Sequence, residues 1–286
     1  MGGRDERTGA AMTSGFVRAG SAEIHYRITG DGPQTLVLIN GVGDDQDGWV
    51  NQLDDFTAAG LRVVTFDNRG VGLSSQPPGP YTSRQMADDL NSLVAELGLP
   101  AFHLAGVSMG GVIAQEYAVA HPDDLASLVL ANTFAKADPF TRAAFDTWAI
   151  VAETAGMPVM MRQQAPWIYS PAFYEQHPER VAELIAAAEA STQPAAAFAA
   201  QMAALNGHDC SGRIGSVTAP TLVIAARDDI IIRPELSRRL FDELPGDHRA
   251  WTVVPGGHAA FWEDPGPWNQ AVIQFVRANS VPHGAP

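Results

Sequence analysis

The chain contains a single cysteine, Cys210, so no intrachain disulfide can form and the fold must be held by its own core. One lone cysteine also fits a reducing compartment such as the cytoplasm. Basic residues are scarce: 18 lysines and arginines stand against 32 aspartates and glutamates, a formal net charge of −14. That balance argues against nucleic acid and against anionic membrane as partners. No apolar run approaches the roughly 20 residues that a membrane-spanning helix needs. Residues 1–14 are polar and glycine-rich, with charges but no apolar stretch of the kind a secretory signal carries, and read as a disordered tail. The spacing of cysteine and histidine matches no zinc motif, so no metal is expected.

What is present is enough apolar sequence for a large core. Of 286 residues, 46% are hydrophobic, and at that length folding buries about three quarters of the chain's surface without staples. Thr35–Ile39 (TLVLI) is a continuous apolar run, the pattern of a strand buried on both faces. Arg62–Phe66, Phe102–Val107, Ser127–Ala131, Thr221–Ala225 and Ala250–Val254 read the same way, and Ala22–Thr29 alternates as a half-exposed strand does. Helical stretches fall between them at Ser83–Leu97, Met109–Ala120, Pro234–Leu244 and Pro265–Ala278. Strand alternating with helix implies a mostly parallel sheet covered on both faces.

One region lacks strands. From Lys136 to Asp209, alanine, methionine and aromatic residues recur at helical spacing, and Pro158, Pro166, Pro171, Pro178 and Pro194 are expected to punctuate the helices. The expected organisation is therefore a tail (1–14), a first core segment (15–135), a helical insertion (136–209) and a second core segment (210–280).

Within His103–Gly111 (HLAGVSMGG), residues 106–110 fit G-x-S-x-G, preceded by a strand and followed by a helix. That context is what a nucleophile elbow demands, with the Ser108 hydroxyl raised on a tight turn. Gly106 and Gly110 leave space for the turn, and the Met109 N–H at the head of the helix points toward a developing oxyanion.

From these residues the chain resembles the α/β-hydrolase superfamily, over about 16–276, with the helical insertion its least matched part. Four further pieces carry the resemblance. Asn40-Gly41-Val42-Gly43 follows TLVLI where the family usually has His-Gly; the resemblance implies Val42 as the second oxyanion donor, with Asn40 either bracing the loop or, with Gly41, touching substrate. Asp67–Ser75 (DNRGVGLSS) looks like the family's D-x-R-G-x-G-x-S loop and reads as structural. Asp228 and Asp229 follow TLVIA, and Asp229 aligns better with the family's acid. Pro255–Pro265 (PGGHAAFWEDP) resembles the final G-G-H loop, which makes His258 the general base. Of the other histidines, His103 reads as structural and His208 as a packing or surface residue that could approach the pocket.

The resemblance implies a serine hydrolase acting through an acyl-enzyme on a small-molecule substrate, most like small-molecule esterases and enol-lactone hydrolases. A carbon–carbon hydrolase, a non-hydrolytic lyase or cyclase, and a ligand receptor on the same fold stay open. The insertion is expected to form a cap. Its apolar side chains, Trp148 and Met160 among them, are expected to face an apolar substrate.

Overall fold

A computed structural model describes residues 2–4 and 11–280. Nine strands form one sheet: β1 (Gly2–Arg4), β2 (Ala11–Ala19), β3 (Ala22–Thr29), β4 (Gln34–Ile39), β5 (Leu61–Phe66), β6 (Phe102–Val107), β7 (Leu125–Ala131), β8 (Thr221–Ala226) and β9 (Arg249–Val254). Their order across the sheet is β1-β2-β3-β5-β4-β6-β7-β8-β9. The first three join antiparallel, and β5 through β9 run parallel. The continuous apolar runs become the central strands, β6 and β8 being buried at every position. Alternate side chains serve two cores. Val37, Ile39, Leu104 and Leu130 pack under α2 (Ser83–Glu96) and α3 (Met109–Ala120). Leu36, Leu38, Val107 and Val129 pack under α1 (Leu53–Ala58) and α11 (Pro265–Ala278).

The stretch read as a disordered tail is corrected in part. Strand β2 begins at Ala11 and pairs with β3, and Gly2–Arg4 pairs with β2. Among the described side chains of β2, Val17 and Ala19 turn inward, too few apolar positions to announce a strand in so polar a segment. Residues 1 and 5–10 lie outside the described residues.

Five helices separate β7 from β8: α4 (Pro139–Ala155), α5 (Met157–Ile168), α6 (Pro171–Gln176), α7 (Pro178–Glu189) and α8 (Ala195–Asn206). Pro158, Pro171 and Pro178 occupy first-turn positions, and Pro194 is an N-cap, places where a missing N–H costs nothing. Pro166 is the exception, lying inside α5 rather than at a boundary. It sits in the last turn, so the helix loses only one bond before it ends. At the base of the insertion, Lys136 and Asp209 form an antiparallel bridge and an ion pair at 2.6 Å. No helix among the described residues is long and apolar enough to cross a membrane.

Candidate active site

Ser108 stands between β6 and α3 with φ 56° and ψ −118°, a backbone conformation that an ordinary L-residue avoids. The chain turns so tightly there that a Cβ on Gly106 would lie 2.2 Å from the Gly110 carbonyl oxygen. One on Gly110 would lie 2.1 Å from that of Ile39. Both glycines are therefore dictated by backbone approach. The turn is pinned by the Ser108 N–H to the Ala131 carbonyl at 2.9 Å, and by the Thr133 hydroxyl to the Ser108 carbonyl at 2.9 Å.

His258 and Asp229 meet below the cavity. The imidazole Nδ1 is 2.7 Å from Asp229 Oδ2, and Asp229 Oδ1 accepts the N–H groups of Ile231 (3.0 Å) and Ile232 (2.8 Å). Asp229 is thus buried with donors at both oxygens, as a buried carboxylate requires. Asp228 points elsewhere: its carboxylate lies 3.6 Å from Arg227, both side chains being exposed. The His258 carbonyl accepts Asn132 Nδ2 at 2.6 Å, which fixes the loop from the end of β7.

Ser108 and His258 open together into a cavity of about 500 Å³. Its floor includes Gly41, Val42 and Ser108; its roof comes from α4, α5 and α7, with Trp148, Met161, Gln164, Ile168 and Leu184. Among the described residues, neither the Val42 nor the Met109 N–H makes a hydrogen bond, so both are free to donate. Val42 lines the cavity, whereas Met109 does not: its side chain is buried in the core, and its N–H follows directly on Ser108 at the head of α3.

Two of the expected substrate contacts are corrected. Met160 is fully buried in the core and is absent from the cavity wall. Met161, Gln164, Ala165 and Ile168 face the cavity instead, the i, i+3, i+4, i+7 stripe of one helix face. Asn40 is buried too; its amide donates to the Asp45 carbonyl and packs against Gly48, so it braces the loop and does not line the cavity. Gly41 and Trp148 do line it. His208 is buried beside Glu116 (3.3 Å), Ser83 (3.1 Å) and Gln115 (3.4 Å), away from the cavity. It gathers with Glu116 and Cys210, but Arg213 engages both Glu116 oxygens, at 2.9 and 2.6 Å. Burial raises the Glu116 carboxyl, yet hydrogen bonds from His208 and Arg213 outweigh it and hold the group at about 2; burial pushes the Cys210 thiol up to about 12. The cluster is a satisfied buried ion pair with a protonated thiol beside it.

Several contributors have no motif. The D-x-R-G loop is a scaffold: Asp67 accepts the Gln46 and Leu73 N–H groups, and Arg69 pairs with Asp89 at 2.5 Å. The insertion clamps it. Gln201 Oε1 accepts the Gly43 N–H at 3.0 Å while its Nε2 donates to the Arg69 carbonyl at 2.8 Å. Glu263 accepts the N–H groups of Ser170 (2.7 Å) and Gly257 (3.1 Å), tying the insertion to the histidine loop. A lone glutamine within the alanine-rich α8 is the sequence signal for the first of these, and the fold buries it fully. Asp44 also lines the cavity. Enclosure by protein, and then neighbouring Asp45, raise its carboxyl to about 6 against the opposing pull of His258. Burial, and then Asp44, push the Tyr169 phenol up as well.

A family model described as serine aminopeptidase, S33, matches residues 32–265. The chain belongs to this α/β-hydrolase family. It is 31% identical over 255 residues to the proposed carbamate hydrolase RutD of Agrobacterium fabrum, covering 89% of this chain and 97% of that one. The corresponding protein of Variovorax paradoxus is 32% identical over 262 residues, covering 91% and 98%. Among solved structures, the enol-lactonase from Burkholderia xenovorans LB400 superposes with a TM-score of 0.84 at 25% identity, covering 92% of this chain and all of that one. A thermophilic esterase from Thermogutta terrifontis gives 0.84 at 26% identity, over 94% of this chain.

Proposed function

We propose that this hydrolase cleaves an ester or lactone of a small, largely apolar molecule through an acyl-enzyme, with Ser108, His258 and Asp229 as its triad. The observation that carries the reading is the 2.7 Å contact between His258 and a fully engaged Asp229, on a loop that opens into the same cavity as Ser108. Asp229 holds the imidazole with its proton on Nδ1, leaving Nε2 to take the Ser108 proton as the oxygen attacks the carbonyl carbon. The N–H groups of Val42 and Met109 receive the oxyanion. Collapse expels the alcohol, which takes the proton from His258; water then repeats the cycle and frees the acid. The α4–α7 roof supplies an apolar cap that excludes water from these steps.

The relatives in the first comparison suggest a second reading, hydrolysis of a carbamate. The same nucleophile serves that carbonyl. The cavity wall, however, holds three aspartates and no lysine or arginine, a poor receptor for a free carbamate anion. The test is a panel of esters, lactones and carbamates with Ser108→Ala as control, alongside a fluorophosphonate. A single adduct at Ser108, and turnover that disappears in the variant, is the expected result. An adduct on another serine sinks the assignment.

A further inference from the structure

The three aspartates of the cavity wall differ in what they hold. Asp47 pairs with Arg27 at 2.7 Å, and Asp45 accepts the Asp47 N–H at 3.0 Å. Asp44 accepts nothing: among the described residues no hydrogen bond or ion pair reaches its carboxylate. Yet it stands beside the nucleophile. The point where a side chain would begin on Gly41 lies 3.5 Å from Asp44 Oδ2 and 3.9 Å from Ser108 Oγ. Its surface is open to the cavity, while protein encloses the cavity around it, so water there solvates the charge less well than bulk water.

A second polar group of the wall is already fixed. Gln193 lines the cavity and is 5% exposed. Its Nε2 donates to the Gly70 carbonyl (2.9 Å) and to Gln201 Oε1 (3.0 Å), which fixes the amide's orientation. Its Oε1 is buried without a donor. That oxygen has no surface open to the cavity, so the amide is a fixed part of the wall. The Asp44 carboxylate asks for a cation or N–H groups, and among the described residues no lysine or arginine of the wall answers it.

We propose that Asp44 is a specificity-determining residue that selects substrates carrying a protonated amine close to the scissile carbonyl and rejects those carrying a carboxylate there. This deepens the esterase reading and rests on it. An ammonium seated on Asp44 leaves the carbonyl within reach of Ser108. An anion in that place faces an uncompensated like charge, an exclusion by repulsion.

The test uses three aryl esters of equal shape, whose acyl chains end in dimethylammonium, isopropyl or carboxylate, at about pH 8, where both carboxylate types are ionised. The expected kcat/KM falls in that order, the ammonium ester exceeding the carboxylate ester by about tenfold or more. In Asp44→Asn that ratio collapses toward unity, since the amide keeps the shape and loses the charge. Fluorophosphonates with the same three tails give an independent readout: Ser108 oxygen bonds to phosphorus, fluoride leaves, and labelling rates rank the tails without any deacylation. Equal rates for all three tails, a preference for the carboxylate, or an unchanged ratio in Asp44→Asn overturns the proposal. Turnover of the isopropyl ester without charge discrimination defeats this inference alone. Absence of both turnover and Ser108 labelling defeats the esterase reading with it.

Discussion

The floor and the roof of the cavity are built on opposite terms. On the floor the groups that hold Ser108 and His258 in place are engaged, while the Val42 N–H stays open: Asp229 has three partners, the Ser108 carbonyl and N–H are both bonded, and the His258 carbonyl is held by Asn132. The wall leaves the Asp44 carboxylate unengaged, amid the apolar surfaces of Trp148, Met161 and Ile168. Spent bonds fix a side chain to within a fraction of an ångström, which proton transfer and attack require. Unspent groups and apolar walls are what a ligand completes. The contrast separates a part that performs the same steps on any substrate from a part that chooses among them, and variants of the two parts should fail differently.

The largest expected effect is on the floor. Asp229→Asn lowers kcat by about ten-thousandfold, because the amide favours the wrong imidazole tautomer. All esters in a panel fall by a similar factor. Asp228→Asn, a change in an exposed side chain paired only with Arg227, leaves kcat within about twofold. Steady-state kinetics on one ester decide it. If Asp228→Asn were the damaging change, the acid would belong to that residue and the floor would have to rearrange on binding.

The roof gives a smaller and differently shaped effect. Trp148→Ala enlarges the cavity and is expected to shift relative kcat/KM between long and short acyl chains by about tenfold, the range that one or two contacts in an apolar pocket command, while sparing an acetate ester. Met160→Ala, one residue off the lining stripe of α5 and fully buried, costs about 2–5 kcal/mol of stability and leaves the ratio alone. Urea unfolding and a chain-length series check both. A uniform loss across chain lengths in Trp148→Ala would make the roof a scaffold.

These pairs also mark where sequence stops being legible. Continuous apolar runs such as TLVLI have only one comfortable place, the middle of a parallel sheet, so the central strands and the elbow at Ser108 could be read directly. The proposed acid could be narrowed to Asp229 by the apolar run that follows it, whose N–H groups are what its Oδ1 accepts. Met160 and Met161 could not be separated, because a shift of one residue turns a helix by about 100 degrees and both are equally apolar. Asn40 offered two readings for the same reason of local ambiguity: its amide either braces a loop or meets a ligand, and only the fold shows the Asp45 carbonyl taking it. Asp44 was silent in sequence. A loop aspartate is ordinarily solvated, and what makes this one unusual is Ser108, Tyr169 and the roof around it, all brought there by distant parts of the chain.

The smallest expected effect tests the cost of leaving Asp44 unspent. Its carboxyl titrates near 6 in the folded protein, raised by enclosure and by Asp45 above the ordinary 3.8. A folded value above the unfolded one means that the native state binds the proton more tightly. The associated stability is complete below about pH 4 and is lost as pH rises through 6. Asp44→Asn mimics the protonated group at every pH. The variant should therefore match the parent near pH 4 and melt higher at about pH 8, by about 2 °C, a modest gain because water in the cavity screens the charge. Carboxylates remote from residue 44 titrate alike in both proteins and cancel in the difference, while relief of Asp45 from its neighbour's charge adds in the same direction. A thermal-shift series across this range reads it directly. A variant that is less stable at about pH 8 would show that the Asp44 carboxylate makes a stabilising contact after all. Asp44 would then belong with the engaged groups of the floor, and the division between the two sides of the cavity would have to be redrawn at the loop that carries it.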